Sequence, residues 1–366
     1  MIVRILLIDD QPENVTALRD ELVAKLPGCV CEIVGFEDAE GRIESHDPHV
    51  VILDLLQGVG ADAEAVGLKT RAYIWEKKFC PLVLYTAAAD LVEEDATNNH
   101  PFICVIKKGA DSEQQVLTRI QQYEPHIATL EVVAKEIRWT MNGVLREIAP
   151  RIFEKIPDAE GRREALTRSA RRRVAAKMDD ALSNGGPNLR SWEFYLCPPV
   201  IEHPLTGDIL RKRDGSKDDP AAYCVVLTPS CDLVRDAVRA PKVSQVLVSR
   251  CKPATRLLQD LNLTGWSNKH KDKLLALLRQ GYAQSCLPLP GLPGEFPAMV
   301  ADFRSLELIA YDAIGGGDKE YFRIASVDNP LRELTAWAYL SSVGRPALPD
   351  RDFNGWADEI VAALGT

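Results

Sequence analysis

Four unbroken apolar runs mark the first third of the chain, and each gives way to polar residues. The runs and the polar residues after them are Ile5–Ile8 before Asp9 and Asp10, Val50–Leu53 before Asp54, Leu82–Tyr85 before Thr86, and Ile103–Ile106 before Lys107. An unbroken apolar run predicts a strand that is buried on both faces, as in a parallel sheet. Because open α/β sheets place their sites at the carboxyl ends of the strands, we expect these polar groups to share one edge.

The residue types at this predicted edge suit a divalent cation and a phosphoryl group. Clustered aspartates repel one another, and Mg²⁺ relieves that repulsion while it binds carboxylate oxygens and water. One carboxylate can then attack phosphorus and form an aspartyl-phosphate. In this hypothesis Lys107 shares the charge of the phosphoryl oxygens and the Thr86 hydroxyl donates a hydrogen bond to one of them. The alternative is a purely structural acidic cluster at the strand ends.

Residues 1–124 resemble the CheY-like receiver domain of two-component response regulators. The residues that carry the resemblance are Asp9, Asp10, Asp54, Thr86 with the small Ala87 after it, and Lys107. The resemblance implies an α/β fold, with a doubly wound sheet of five parallel strands wrapped by five helices.

The resemblance also implies a reaction and its partners. Asp54 would accept a phosphoryl group from a sensor histidine kinase or a phosphotransfer protein. Mg²⁺ would be held by Asp10 and Asp54, helped by Asp9 and the main-chain carbonyl of Leu56.

The sequence departs from the family after the lysine. Lys108 stands where a proline is usual, and Cys104 stands where an aromatic switch residue is expected. The loop from Leu55 to Val66 is longer than usual, and Gly58 replaces a common proline. We therefore expect the phosphorylation chemistry to be intact and the usual route from the phosphate to the output face to differ. A degenerate receiver that serves as a binding module is the competing hypothesis.

The remaining helices of the receiver follow from the apolar spacing and the turn residues. They are predicted after Pro12 and over residues 39–45, 66–78, 89–97 and 111–123.

Residues 125–186 form a predicted helical connector. Apolar residues keep a helical period from Ile127 to Ile156, and a second helix runs from about Ala159 to Leu182. The stripe on the first helix is longer than a hairpin partner needs, which predicts a homodimer. The second helix is rich in arginine, which indicates either a surface for nucleic acid or an acidic partner, or a solvated helix face.

Residues 187–366 form a predicted output domain of the α+β class that contains a small β-barrel. Strands are predicted near 206–210, 223–228, 243–249, 299–311 and 320–325, and helices near 268–282, 330–343 and 353–364. The order of strands between Thr206 and Cys251 is similar to the SH3-like barrel of the PemK/MazF toxin ribonucleases. Tyr223 and Cys224 stand where that family has an Arg-Pro pair, so we carry over the fold and no catalytic residue.

Cys231 and Asp232 are the candidate site of this domain. The thiolate would act as a nucleophile or a metal ligand, with Cys251, Cys286 or His203 as partner. The alternative is a small residue buried in a turn, which is the outcome we expect. The domain accordingly either binds a protein or ligand, or acts as a nuclease-like enzyme in a defence or conflict system.

Composition and charge narrow the class of protein. The chain is 46% hydrophobic and has nine cysteines. It has no apolar run near the ~20 residues that a membrane span needs. We therefore expect a cytoplasmic, reduced protein with no signal peptide and no membrane partner. Residues 1–124 contain 11 Lys and Arg against 22 Asp and Glu, and residues 187–366 contain 21 against 22. This balance does not favour nucleic-acid binding, which depends on phosphate neutralisation.

Overall fold

A computed structural model describes residues 3–58, 66–89, 100–183, 189–344 and 352–364, without the side chains of 179–183. The chain divides into two compact units, Met1–Gly186 and Pro187–Thr366. Within the described residues, no helix is both long and apolar enough to cross a membrane.

A five-stranded parallel sheet forms the centre of the first unit. Its strands are β1 (Arg4–Ile8), β2 (Val30–Val34), β3 (Val50–Leu53), β4 (Leu82–Thr86) and β5 (Ile103–Lys107). They are hydrogen-bonded in the order β2-β1-β3-β4-β5. This is the doubly wound order of flavodoxin and CheY, so the predicted fold class is confirmed for this unit.

Both faces of the sheet are covered, which explains the unbroken apolar runs. Ile5 and Leu7 of β1 belong to one core cluster, whereas Leu6 and Ile8 belong to a second cluster on the other face. The helices that precede β5 in the described residues are α1 (Glu13–Lys25), α2 (Ala39–His46) and α3 (Gly67–Lys77). The predicted helix over 89–97 lies outside the described residues.

The helix after β5 is far longer than predicted. Helix α4 runs for 44 residues, Ser112–Lys155, and so passes without interruption through the expected break at residue 124. Pro125 lies inside it, where a proline removes one main-chain hydrogen bond. Burial of Tyr123 and Ile127 on the same core cluster continues across this point and offsets that loss.

Helix α5 (Ala159–Ser183) packs against the second half of α4. Their shared cluster centres on Val144 and Ile148 of α4 and Ala170 of α5. The second half of α4 and α5 therefore form a helical hairpin, and the first half of α4 packs on the parallel sheet.

The second unit is built on one antiparallel sheet of seven strands. The strands are β6 (Tyr195–Leu196), β7 (Asp208–Lys212), β8 (Tyr223–Val226), β9 (Gln245–Pro253), β10 (Cys286–Leu289), β11 (Met299–Ala310) and β12 (Tyr321–Val327). Their order is β10-β11-β9-β8-β7-β12-β6. Strand β10 is not among the predicted strands, and its Pro288 is tolerated because β10 lies at an edge of the sheet. The ladder runs from β10 to β6, so closure of the sheet into a barrel stays a prediction.

Alternating side chains of this sheet fill two cores. Tyr223 and Val225 of β8 enter one cluster, and Cys224 and Val226 enter the other. The helices of the unit are α6 (Ser230–Leu233), α7 (Leu257–Asp260), α8 (Lys271–Gln280), α9 (Leu331–Val343) and α10 (Phe353–Ala363). Of these, α9 contributes the fully buried Ala338 to the first core.

Candidate functional site

The predicted polar groups meet at the carboxyl edge of the parallel sheet. Asp9 and Asp54 are each the first residue after their strands, and Thr86 is the last residue of β4. Main-chain hydrogen bonds fix these ends side by side, since the Asp54 N–H donates to the Ile8 carbonyl at 2.9 Å. The Lys108 N–H likewise donates to the Thr86 carbonyl at 3.0 Å.

Lys108, and not the predicted Lys107, supplies the positive charge. The Lys108 Nζ atom lies 2.7 Å from Asp9 Oδ2 and 2.6 Å from Asp54 Oδ2. Lys107 is the last residue of β5, paired with Thr86, and its side chain is exposed. The role of Lys107 stays a prediction, whereas Lys108, the first residue beyond the end of β5, is the lysine that contacts the two carboxylates.

Main-chain amides hold the other carboxylate oxygens. Asp54 Oδ1 accepts hydrogen bonds from the N–H groups of Leu55 at 2.6 Å and Leu56 at 3.3 Å. Asp9 Oδ1 accepts one from the Gln11 N–H at 2.9 Å. With one oxygen of Asp54 fixed by the main chain, its second oxygen faces the Lys108 ammonium.

Gly67 lies very close to the backbone of Asp54 and Leu55. A Cβ atom on Gly67, the first residue of α3, would lie 2.2 Å from the Asp54 carbonyl oxygen. The Gly67 N–H also donates to the Leu55 carbonyl at 3.1 Å. Only glycine allows this approach of the helix start to the backbone of the candidate acceptor.

Burial and charge act in opposite directions on the two partners. Burial raises the pKa of Asp9, which is 1% exposed, although the Lys108 ammonium acts to lower it. Burial alone would lower the pKa of Lys108, but its hydrogen bonds to Asp54 and Asp9 outweigh that effect and raise this pKa. Lys108 is therefore a firmly charged ammonium between two carboxylates.

The predicted magnesium ligands do not form a metal site in this arrangement. Within the described ranges, no cluster of three or more acidic, histidine or cysteine side chains could hold an ion. The ammonium of Lys108 bridges Asp9 and Asp54, and Asp10 Oδ2 accepts the Gly58 N–H at 2.6 Å. The ligand role of Asp10 and of the Leu56 carbonyl stays a prediction.

Thr86 is fully buried, and its Oγ1 atom accepts the Ala88 N–H at 3.2 Å.

Counted back from Lys108, the position of the aromatic switch residue falls on Val105 and no longer on Cys104. Neither side chain is aromatic.

The candidate site of the second unit, Cys231 and Asp232, differs from the prediction in the exposure of its thiol. Cys231 is exposed, so the expectation of a buried thiol is wrong. Its sulfur lies 3.6 Å from Asp232 Oδ1, which also accepts the Lys242 ammonium at 2.9 Å. The hydrogen bond from Lys242 lowers the pKa of Asp232. The suggested partners Cys251 and Cys286 are buried in the core clusters.

A groove of about 420 Å³ lies beside this turn, and no sequence pattern predicts it. Its lining is mostly apolar and combines the end of β8 with one side of α9. The lining residues include Leu227, Pro229, Ser230, Leu247, Ala336 and Tyr339.

Fold and site together define a class for the first unit. The unit has the CheY-like fold, with the doubly wound 2-1-3-4-5 sheet and an acidic pair, a threonine and a lysine at its carboxyl edge. No protein-family model matches the chain, and no curated protein matches it significantly.

The solved structures to which the chain is similar include several receiver domains. One is the N-terminal domain of a response regulator/sensory box/GGDEF three-domain protein from Carboxydothermus hydrogenoformans, with 22% identity over 36% of this chain and 98% of that one, and a TM-score of 0.28. Another is the response regulator PhyR from Brucella abortus, with 21% identity over 37% and 52%, and a TM-score of 0.28. A third is a two-component response regulator of the LuxR family from an Aurantimonas species, with 20% identity over 35% and 87%, and a TM-score of 0.26.

Proposed function

We propose that Asp54 accepts a phosphoryl group and that this modification controls the C-terminal unit. The observation that carries the proposal is the Lys108 ammonium, 2.6 Å from Asp54 and 2.7 Å from Asp9 at the carboxyl edge of the sheet. A fixed cation beside a carboxylate matches the charge that a phosphoryl group brings.

The residues suit in-line transfer with little rearrangement. The amides of Leu55 and Leu56 hold Asp54 Oδ1, which orients the carboxylate for attack on phosphorus. The Lys108 ammonium is already within hydrogen-bond distance of Asp54. It can therefore turn from the carboxylates to the oxygens of a phosphoryl group on that residue. The Thr86 hydroxyl, at the end of the next strand, is the neutral donor for one of these oxygens.

The donor is a phosphohistidine of a sensor kinase or of a phosphotransfer protein. A bond forms between an Asp54 oxygen and phosphorus while the phosphorus–nitrogen bond breaks, and the released imidazole takes a proton from solvent. With acetyl phosphate as donor, acetate leaves instead. Magnesium, which the resemblance implies, stays a prediction to be tested in the same assay.

Intact-mass measurement of the full chain with acetyl phosphate tests the proposal. We expect the mass of one phosphoryl group on the wild type, and none on Asp54→Asn. Parallel samples with Mg²⁺ and with a chelator test the metal requirement. An unmodified wild type would favour the competing hypothesis of a degenerate receiver that binds partners without phosphorylation.

For the C-terminal unit we propose binding of a protein or ligand, under control of the receiver. The mostly apolar groove between β8 and α9 supports binding, because ligand sites are concave and largely apolar. Near-neutral charge gives no electrostatic support for a nucleic-acid partner.

A nuclease-like activity is the second candidate function, and the exposure of Cys231 is the observation that favours it. The Cys231 sulfur contacts Asp232, which accepts the Lys242 ammonium at 2.9 Å, and Arg239 donates to the main-chain carbonyl of Cys231 at 2.9 Å. An RNA-cleavage assay with the wild type and Cys231→Ala separates the candidates. Cleavage that disappears in Cys231→Ala would replace the binding proposal, whereas no cleavage by the wild type would support it.

We also propose that the connector mediates a homodimer. Helix α4 leaves several large apolar side chains exposed beyond the sheet, which is unusual for a surface helix. They are Val132, Val133, Ile137 and Trp139.

A further inference from the structure

A buried hydrogen bond connects strand β4 to the first residue of the long helix α4. The Tyr85 hydroxyl lies 2.8 Å from Ser112 Oγ, and the two residues are 5% and 2% exposed. The Ser112 hydroxyl donates to the Gly109 carbonyl at 2.8 Å, so the Tyr85 O–H is the donor to Ser112. The bond therefore also reaches the loop that follows Lys108.

The Tyr85 ring contacts the charge of the phosphorylation site. Lys108 Nζ lies 5.5 Å from the centre of this ring, within the range of a cation–π interaction. Tyr85 also directly precedes Thr86 on β4. A movement of the Lys108 ammonium would therefore change its interaction with the Tyr85 ring. The hydroxyl of that ring is hydrogen-bonded to Ser112 of helix α4.

No aromatic residue stands at either position expected for the switch residue of the resemblance. The positions where an aromatic switch residue would stand hold Val105 or Cys104. Helix α4, in contrast, begins at Ser112 beside the site and continues for 44 residues into the connector. The hydrogen bond from Tyr85 to the first residue of α4 therefore connects the site directly to this helix, without an aromatic switch residue.

We propose that Tyr85 and Ser112 are the positioning residues that report the state of Asp54 to helix α4. The inference rests on the proposed function, since it needs a phosphoryl group on Asp54. When Lys108 turns to the phosphoryl oxygens, its contact with the Tyr85 ring changes. The Tyr85–Ser112 hydrogen bond then passes this change to the first turn of α4.

Hydrogen–deuterium exchange of the full chain, with and without acetyl phosphate, tests this relay. Intact mass is recorded on the same samples. In the wild type we expect phosphorylation to change the exchange of amides at the start of α4 by about 2- to 10-fold, the range that one hydrogen bond supports. In Tyr85→Phe we expect the phosphoryl adduct to persist, because the ring remains, and the exchange response to be lost.

Ser112→Ala tests the other end of the same hydrogen bond. It should lose the response as well, and the double variant should lose no more than either single variant, because one bond is shared. An additive loss would contradict a common relay.

Tyr123→Phe is the matched control. Tyr123 is buried in the same core cluster, and its hydroxyl has no hydrogen-bond partner among the described residues. This variant should keep both the adduct and the exchange response. A wild-type response in Tyr85→Phe, or an equal loss in Tyr123→Phe, would overturn the relay. A wild type that forms no adduct overturns the proposed function and the relay with it, whereas an adduct without any exchange response overturns the relay alone.

Discussion

Lys108 holds two carboxylates together at the candidate site. Asp9 is almost completely buried, and two aspartates so close to each other would otherwise repel. The Lys108 ammonium is hydrogen-bonded to Asp54, so we expect its position to change when Asp54 is modified. One side chain thus links the stability of the site to its proposed chemistry.

The two adjacent lysines allow a sharp test of this role. We expect Lys108→Ala to slow phosphoryl transfer to Asp54 by about 10²-fold or more, as the loss of a fixed donor to a developing charge does. Lys107→Ala should stay near the wild-type rate because Lys107 is exposed on the strand. Quench-flow or gel measurement of phosphoryl incorporation compares them. A larger effect of Lys107→Ala would instead support the phosphoryl-binding role predicted for Lys107.

A buried ion pair in the second unit gives a prediction on stability. Asp208 is fully buried, accepts the Arg323 Nε–H at 2.8 Å, and also accepts the Ser326 hydroxyl at 2.6 Å. Asp208→Ala leaves the buried Arg323 guanidinium without a carboxylate partner, so we expect a loss of about 3–5 kcal/mol in the free energy of unfolding.

Asp312→Ala is the control for this substitution, since the Asp312–Arg235 pair is exposed. It should cost only about 0–1 kcal/mol. Urea denaturation of the two variants measures the difference, and equal costs would contradict the structural role of Asp208.

At the scale of elements, helix α4 connects the receiver to the rest of the chain. It is fixed near Ser112 and again at Glu131, whose Oε1 atom lies 2.6 Å from His49 Nε2. His49 Nδ1 accepts the Arg4 N–H at 3.2 Å, so the proton of the neutral ring is on Nε2 and is donated to Glu131. This contact fixes α4 to the opposite edge of the sheet from the site.

The sequence predicts most elements of the receiver but not the continuity of this helix. Unbroken apolar runs give β1, β3 and β4, because strands buried on both faces need apolar side chains at every position. The predicted helix ends at residue 123, yet α4 continues through Pro125, since a helix tolerates one missing hydrogen bond when Tyr123 and Ile127 stay buried around it. That compensation depends on contacts distant in sequence, so local pattern does not reveal it.

The His49 contact predicts a pH dependence for the first unit. Burial lowers the pKa of His49 below its ordinary 6.5, and the nearby charges of Arg4 and Lys78 act in the same direction. The unfolded chain therefore binds this proton at a higher pH than the folded protein does. Stability should be full above about pH 6.5 and fall below it, by up to about 1.4 kcal/mol per pH unit.

Denaturation of the wild type and of His49→Gln over this range isolates the effect. The wild type should lose stability toward acid more steeply than the variant. Parallel curves for the two proteins would contradict the assignment.

The exposed apolar stripe of α4 predicts that charge will disrupt a dimer. Val132 is 65% exposed, so Val132→Glu should leave the monomer folded and shift the full chain from dimer to monomer. Val23→Glu makes the same change at an exposed valine of α1 and should have no effect on assembly. Light scattering of the wild type and the two variants measures their molar mass and so distinguishes dimer from monomer. A wild type that stays monomeric at tens of micromolar would contradict the proposed dimer.

At the scale of the whole molecule, the two units differ in how far local pattern determines them. The polar residues after strands identify Asp9, Asp54 and Thr86, but two consecutive lysines leave the register at β5 undetermined. In the second unit the strands recur near their predicted positions, while the exposure of Cys231 depends on how α6 lies against the sheet. Tertiary packing sets such exposure, and single-sequence patterns do not encode it.

The central claim is that Asp54 is a phosphoryl acceptor. Its most direct test is to incubate the full chain with acetyl phosphate, trap acyl phosphates by borohydride reduction, and map the reduced residue by peptide mass spectrometry. We expect reduction to homoserine at position 54, at a level that falls sharply in Lys108→Ala and stays unchanged in Lys107→Ala. Trapping at another carboxylate, or at none while the protein is folded, would contradict the account.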